Sequence, residues 1–384
     1  MVHEVRIPGR PGLWPSVMVH SLIMLIGCAT TSLSHGAGAC GGKPVSQAAG
    51  AELAGKLIAL ERRHPSGDLG HADTVRLRDL FQSYGWPSVE ASGADAVNAA
   101  GSLLLRAGSD HGLQNACLDS LLAREDVDSR AVGDLFDRIA MAHREPQVFG
   151  TVFELAGGVA RPSGALDERT ANMFRDQLGL PLLGEDMEHF DSELRAGRSF
   201  AEITRVPALA RPAAISNAAL RAELLSMEQA DQRVRSEVVG CHARAPAACA
   251  KAERAEIELD RRHEARIKEV IGKHGFPTRA MIGRRGLVAL ALLVQHAPDL
   301  DFQRDCLPSI EQLMKRLETS RQSYALLVDR VLIRSGEKQL YGTQLDENAR
   351  LLPVQMPDQL DSRRAALGLS SIEQYLQISR SIAK

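Results

Sequence analysis

A histidine at the end of an apolar segment is the first residue of this sequence whose type and position could support chemistry. His296 closes the segment 287–296, in which the eight residues before Gln295 are all apolar. An imidazole titrates near neutral pH, so it can act as a general base or bind a ligand. A histidine at the C-terminal end of a helix is also favoured by the helix dipole alone. Both interpretations of His296 stay open.

Further polar side chains follow His296 and could complete a site with it. Asp329 could orient the imidazole of a His296 general base, as expected of a hydrolase. The alternative is that Asp329 only accepts hydrogen bonds from a turn or a helix cap. Six more side chains could bind a ligand or substrate: Gln303, Arg330, Gln339, Tyr341, Thr343 and Gln344.

Motifs for metals, nucleotides and dinucleotide cofactors do not occur in the sequence. There is no Cys-x-x-Cys or His-Glu-x-x-His spacing, no Walker loop, no Gly-x-Ser-x-Gly and no dinucleotide fingerprint. Asp299, Asp301 and Asp305 lack the spacing of a calcium loop, and helix capping explains them better. We therefore expect no metal and no cofactor.

The composition indicates a folded, mainly helical protein. Of the 384 residues 44% are hydrophobic but only 4% are aromatic, which favours helices over a β-sandwich. The 46 basic and 48 acidic residues give a net charge of −2. Because no basic excess is present, we expect no nucleic-acid partner.

Five colinear matches between the two halves of the chain indicate an internal duplication. Gly85 lies 21 positions before Arg106, and Gly275 lies 21 positions before His296. The matched pairs are 84–87 with 274–277, 113–118 with 302–307, 137–139 with 329–331, 147–151 with 339–343, and 175–180 with 364–369. We predict tandem copies over 51–190 and 215–384, joined by a linker over 191–214.

Each copy is predicted to be mainly α with one small β-hairpin, a helix-dominated α+β fold. In the second copy, the residue types of 324–333 and 339–345 around Ser335-Gly336 predict the two strands of the hairpin. Asp329 and Arg330 would then point to opposite faces of one strand.

The second copy is predicted to hold the site, because a duplicated fold needs its binding or catalytic residues only once. Three polar positions of the second copy are replaced in the first: His296 by Arg106, Tyr341 by Phe149 and Gln344 by Val152. We expect the polar residues of the second copy to converge on one concavity, namely His296, Gln303, Tyr341 and Gln344.

The N-terminus resembles an export signal. Residues 1–27 carry Arg6 and Arg10 before a short apolar stretch that is too short to span a bilayer. The stretch ends at Gly27-Cys28, which resembles a lipoprotein cleavage box in which Cys28 is lipidated. A secretory signal with a chance cysteine is the alternative. We expect 28–50 to be a flexible tether, and the protein to be exported and lipid-anchored to a membrane of the bacterial cell envelope, facing the periplasm.

The remaining cysteines suggest one disulfide. Cys241 and Cys249 flank a segment that contains Pro246, and a bond between them would staple that turn. Cys40 has no obvious partner. Cys117 and Cys306 are expected to be small buried side chains.

The second copy resembles an uncharacterised bacterial domain family over about 255–384. The resemblance rests on an apolar helix that ends in Gln-His, a following helix with Gln and Leu, and two later motifs. The matching residues are Gln295-His296, Gln303 to Leu307, Asp329-Arg330-Val331, Gln339 to Gln344, Arg364 and Leu367-Gly368-Leu369. The family has no settled activity, so the resemblance implies a fold and a place for a site but no reaction.

Three functions are compatible with these observations. The first, slightly favoured because no nucleophile–base spacing is visible, is a cell-envelope lipoprotein that binds a small ligand or an envelope protein. The second is a hydrolase with His296 as general base. The third is a purely structural repeat protein, in which His296 and Gln344 would be buried and bonded to the backbone.

Overall fold

The computed structural model describes residues 40, 46–108, 110–122, 124–211, 215–244, 249–346 and 350–382. The predicted signal peptide 1–27 and the lipidation site Cys28 lie outside these residues. Of the predicted tether, the described end is helical. The first helix begins at Gln47, and the side chain of Ser46 caps it by accepting a hydrogen bond from the N–H of Ala49.

The described residues divide into two compact units, a first unit up to residue 211 and a second unit from residue 215. Both units are dominated by helices. The first unit contains α1 (Gln47–Arg63), α2 (His71–Tyr84), α3 (Val89–Ser92), α4 (Ala94–Leu105), α5 (His111–Leu122), α6 (Ser129–Ala142), β1 (Phe153–Ala156), β2 (Val159–Pro162), α7 (Glu168–Leu178), α8 (Leu183–Arg195) and α9 (Phe200–Ile203).

The second unit consists of two long helices followed by shorter ones. Its elements are α10 (Ala218–Arg244), α11 (Ala250–His274), α12 (Arg279–His296), α13 (Leu300–Lys315), α14 (Arg321–Arg334), a 3-10 turn (Pro357–Gln359), α15 (Leu360–Ala366) and α16 (Ile372–Ile382). In the parts of the chain that the structure covers, no helix combines the length and the apolar character needed to cross a membrane.

The β-hairpin is found in the first unit, where β1 and β2 pair antiparallel with Phe153 opposite Pro162. The hairpin predicted for the second unit is wrong. Its first segment, 324–333, lies inside α14. A short apolar run does not distinguish a buried strand from a buried helix, and here the run is a helix packed into the core. Its second segment, 339–345, is a loop with isolated bridges to Val354 and Leu351.

Helix α12 lies in the centre of the second unit's core and fixes the position of His296. Leu287, Leu290 and Val294 on this helix are fully buried. They belong to one hydrophobic cluster with Ile267 of α11 and Leu327 of α14. Because neighbouring helices pack around α12, its last residue, His296, is carried into the interior of the unit.

Candidate functional site

His296 pairs with a carboxylate of helix α10. Its Nδ1 lies 2.9 Å from Oδ1 of Asp231, and both side chains are buried, with 3% and 1% of their surface exposed. Nε of Arg235 also lies 3.0 Å from this Nδ1, so the tautomer of His296 decides whether Nδ1 donates to Asp231 or accepts from Arg235. Burial lowers the pKa of His296 to about 4, and the bond to Asp231 acts in the opposite direction. The imidazole is therefore neutral at pH 7.

Arg235 joins this pair to helix α11. Its Nε donates to Oδ1 of Asp231 at 3.1 Å, and its Nη2 donates to Asp260 at 2.7 Å. Its Nη1 donates to Glu256. Burial raises the pKa of the Asp260 carboxyl to about 6, against the effect of Arg235. One guanidinium thus holds three carboxylates from two helices beside His296.

Two buried polar groups, one on α12 and one on α11, have no hydrogen-bond partner in the described residues. The amide of Gln295, which precedes His296, is fully buried, and neither its Nε2 nor its Oε1 is bonded. Nδ1 of His263 is also buried and unbonded. His263 lies three residues after Asp260 on the same side of α11, and the charges of Asp231 and Arg235 affect its pKa. Such groups cost free energy unless water or a ligand satisfies them.

Gln303 and Arg330, which were predicted to bind a ligand, hold the end of α12. Nε2 of Gln303 donates to the carbonyls of Gln295 at 2.7 Å and Ala297 at 3.1 Å. Nη1 of Arg330 donates to the same Gln295 carbonyl at 3.1 Å. These bonds satisfy carbonyls that the end of a helix leaves without a partner. Both residues therefore lie beside His296 and fix the backbone that carries it.

Asp329 is not the partner of His296, contrary to the predicted pair. Its carboxylate accepts hydrogen bonds from the N–H groups of Leu340 at 2.7 Å, Tyr341 at 2.9 Å and Thr343 at 2.8 Å. The Thr343 hydroxyl donates to it at 2.9 Å. Burial raises the pKa of Asp329, and these hydrogen bonds oppose the rise. Because the backbone is helical at Asp329, its side chain projects onto the 339–345 loop, where it organises the chain.

The other predicted binding residues brace the same loop. Nε2 of Gln339 donates to the carbonyl of Gln344 at 2.9 Å, and its Oε1 accepts from the N–H of Gln344 at 2.8 Å. The Gln344 amide donates to the Thr343 hydroxyl at 3.1 Å, and the Tyr341 ring lies 6.4 Å from that of Tyr324. Among the described hydrogen bonds, none joins this loop to His296, so the predicted residues form two separate networks.

The first unit contains an arrangement of the same kind. Asp137 on α6 accepts from the N–H groups of Val148, Phe149 and Thr151, as Asp329 does from its own loop. A buried arginine then donates to a loop carbonyl in each unit: Arg175 to that of Phe149, and Arg364 to that of Tyr341. A feature present in both units, including the one without a histidine at the position of His296, has a structural role.

Two disulfides are present. Cys241 at the end of α10 and Cys249 at the start of α11 are bonded, with their Cα atoms 5.7 Å apart. Cys40, for which no partner was predicted, is bonded to Cys117 on α5, so Cys117 is not simply a small buried side chain. Spacing alone does not give disulfide connectivity. Cys306 is a free, buried thiol. Within the described ranges, no group of three or more His, Cys, Asp or Glu residues is placed to hold a metal ion.

The comparison with known proteins finds a similarity for the second unit only. No curated protein and no solved structure matches the chain. Residues 218–382 match the model of a family of unknown function, DUF6624. The matched segment runs from α10 to α16 and includes His296, Asp231 and Arg235. Over these residues the second unit of this chain is therefore similar to an uncharacterised family.

Proposed function

We propose that the protein is an exported lipoprotein of the bacterial cell envelope whose second unit binds a small polar ligand beside His296. The observation that carries this proposal is the buried amide of Gln295, whose NH2 donor and carbonyl acceptor have no partner among the described residues. A ligand that returns both hydrogen bonds would remove the cost of burying this group.

A comparison of positions supports a functional reason for Gln295. Counted from Gly85 and Gly275, the first unit has Leu105 where the second has Gln295. The helix position is therefore compatible with an aliphatic side chain, and packing alone does not demand an amide. A buried polar group that folding does not need is typical of a binding site.

The charges around the site favour a neutral ligand. Asp231 is paired with both Arg235 and His296, and Arg235 is also paired with Glu256 and Asp260. Each of these charged groups therefore already has a partner of opposite charge or a hydrogen bond. A sugar, a nucleoside or an amide would satisfy Gln295 without placing a further charge among them.

Gln295→Leu tests this proposal. We expect the variant to raise the free energy of unfolding of the ligand-free protein by about 1–2 kcal/mol, because it removes a buried group that has no partner. We also expect it to abolish the rise in melting temperature that a neutral ligand produces in the unsubstituted protein. Urea unfolding measures the first effect, and a thermal-shift screen of sugars, nucleosides and amides measures the second.

Gln229→Leu, at an exposed position of α10, is the matched control. It should change the free energy of unfolding by less than about 0.5 kcal/mol. The rise in melting temperature with the ligand should stay the same. If Gln295→Leu still responds to the ligand as the unsubstituted protein does, Gln295 does not bind it, and the proposed site is wrong.

A hydrolase is the second candidate function. The 2.9 Å contact between Nδ1 of His296 and Oδ1 of Asp231 has the geometry of a base with its orienting carboxylate. A histidine whose pKa is about 4 is, however, a weak base at neutral pH, which favours binding over catalysis. A panel of esters and amides tests this candidate. If the protein hydrolyses one of them and Asp231→Asn abolishes the hydrolysis, catalysis is favoured over binding.

A purely structural role is the third candidate, and the contacts support it only in part. The Gln344 amide donates to the backbone carbonyl of Leu326 at 3.4 Å, as that role predicts. His296 instead bonds to the side chains of Asp231 and Arg235.

The recurring carboxylate-and-loop arrangement supports tandem copies, the first of which serves as a scaffold. The hairpin of the first unit has no counterpart in the described residues of the second, so the duplication concerns the order of the helices, and a crystal structure in which that order differs between 80–180 and 270–370 would contradict it. The proposed anchor is tested separately, by the Cys28→Ala variant. It should move the protein from the membrane fraction to the soluble fraction of its host.

A further inference from the structure

The bond between Cys241 and Cys249 lies on the same two helices as the partners of His296. We infer that this disulfide is a redox control of the His296 site. While the bond is intact, the outer parts of α10 and α11 stay together and the site is closed, and reduction by a dithiol opens it. The inference rests on the proposed function for its purpose, but the opening itself can be measured without any ligand.

The outer parts of α10 and α11 have almost no hydrophobic anchorage. We call residues 232–242 and 249–259 the arm. Of these residues, only Cys249 is buried. The buried apolar residues of the two helices lie outside the arm, for example Leu224 on α10 and Ile267 and Val270 on α11. A pair of helices without a core between them needs another restraint.

The restraints on the arm are polar, apart from the disulfide. His242 lies 2.9 Å from Glu253, and both side chains are nearly half exposed. Arg235 holds Glu256 and Asp260 at the inner end of the arm. Exposed ion pairs contribute little to stability. The disulfide is therefore the strongest restraint at the outer end, where it closes the connection between the helices.

The inner end of the arm is part of the His296 site. Arg235, which belongs to the arm, donates to the same Oδ1 of Asp231 that lies 2.9 Å from Nδ1 of His296. When the helices separate, Arg235 loses Glu256 and Asp260, which lie on the other helix. Water then reaches Asp231 and His296. A change at Cys241 and Cys249 is in this way transmitted to the site through one side chain.

Reduction proceeds by thiol–disulfide exchange with a dithiol. Cys241 is half-buried and Cys249 is buried, so the thiolate of the dithiol attacks Sγ of Cys241. Cys249 leaves as a thiolate and takes up a proton. The second thiol of the reductant then displaces Cys241, which also takes up a proton. The dithiol becomes a disulfide, and the protein gains two electrons and two protons.

Hydrogen exchange on the full chain tests the inference. We compare Cys241→Ser/Cys249→Ser with Cys40→Ser/Cys117→Ser, which removes the other disulfide as a matched control. Only the first double variant should exchange arm amides at least about tenfold faster, while the amides of α13 stay unchanged. In that variant the pKa of His296, followed by NMR, should rise from about 4 towards its ordinary range, because the ring becomes hydrated.

Treatment of the control variant with dithiothreitol supplies a second measurement, because that protein retains the arm disulfide. Reduction should reproduce the faster arm exchange. If the arm amides of the reduced protein exchange within twofold of the rate in the oxidised protein, the inference is wrong. It is also wrong if the amides of α13 accelerate equally, because the disulfide would then restrain the whole unit. A negative ligand screen would reject the proposed binding function while leaving these results unaffected.

Discussion

Asp329→Ala is expected to lower the free energy of unfolding of the second unit by about 4 kcal/mol. The substitution removes an acceptor that serves three backbone N–H groups and the Thr343 hydroxyl. The N–H of Thr343 is buried and would be left without a partner. Urea unfolding of the full chain, followed by circular dichroism, measures the loss.

Two further substitutions make this result specific. Asp137→Ala should destabilise the first unit by a similar amount, because Asp137 accepts the corresponding set of hydrogen bonds. Asp301→Ala should have almost no effect, since 84% of that side chain is exposed. A loss below about 1 kcal/mol for Asp329→Ala would show that the loop is held mainly by other contacts.

His296→Ala is expected to cost about 3 kcal/mol of stability and to abolish binding of the proposed ligand. The large stability effect follows from burial. The alanine leaves a cavity beside Asp231 and removes the 2.9 Å contact with that buried carboxylate. A partly exposed histidine, as the sequence suggests for a site residue, would cost only about 1 kcal/mol.

The matched control for this variant is His274→Ala, at the exposed end of α11. It should change the midpoint of urea unfolding very little. If His296→Ala unfolds at the same urea concentration as this control, the pair with Asp231 contributes nothing to folding. Thermal-shift measurements with the ligand then show separately whether His296 contributes to binding.

Local patterns in the sequence predicted α12 and the place of His296 at its end. The low aromatic content also predicted the helix-dominated fold, because aromatic residues are enriched in strands. The region 324–333 was assigned to a strand because its Val, Leu and Ile content fits both states. Packing of this segment against α12 and α13 stabilises the helical conformation over the strand.

The partner of His296 could not be predicted, because it lies 65 positions away on another helix. Asp231 and Arg235 are four residues apart, a spacing that is typical of an ion pair on a solvated helix surface. Glu256 and Asp260 repeat this spacing on α11. The sequence therefore indicates two exposed polar faces, and only the packing of three helices shows that they meet around a buried histidine.

The disulfide between Cys40 and Cys117 limits the distance between the first unit and the proposed lipid anchor at Cys28. Cys40 lies twelve positions after Cys28, and a fully extended chain over twelve positions reaches about 40 Å at most. Without the bond, the restraint moves to the start of α1 near Ser46, and the maximum reach becomes about 60 Å. If Cys28 is lipidated as proposed, the first unit would stay within about 40 Å of the membrane, and reduction of one bond would increase that distance by about half.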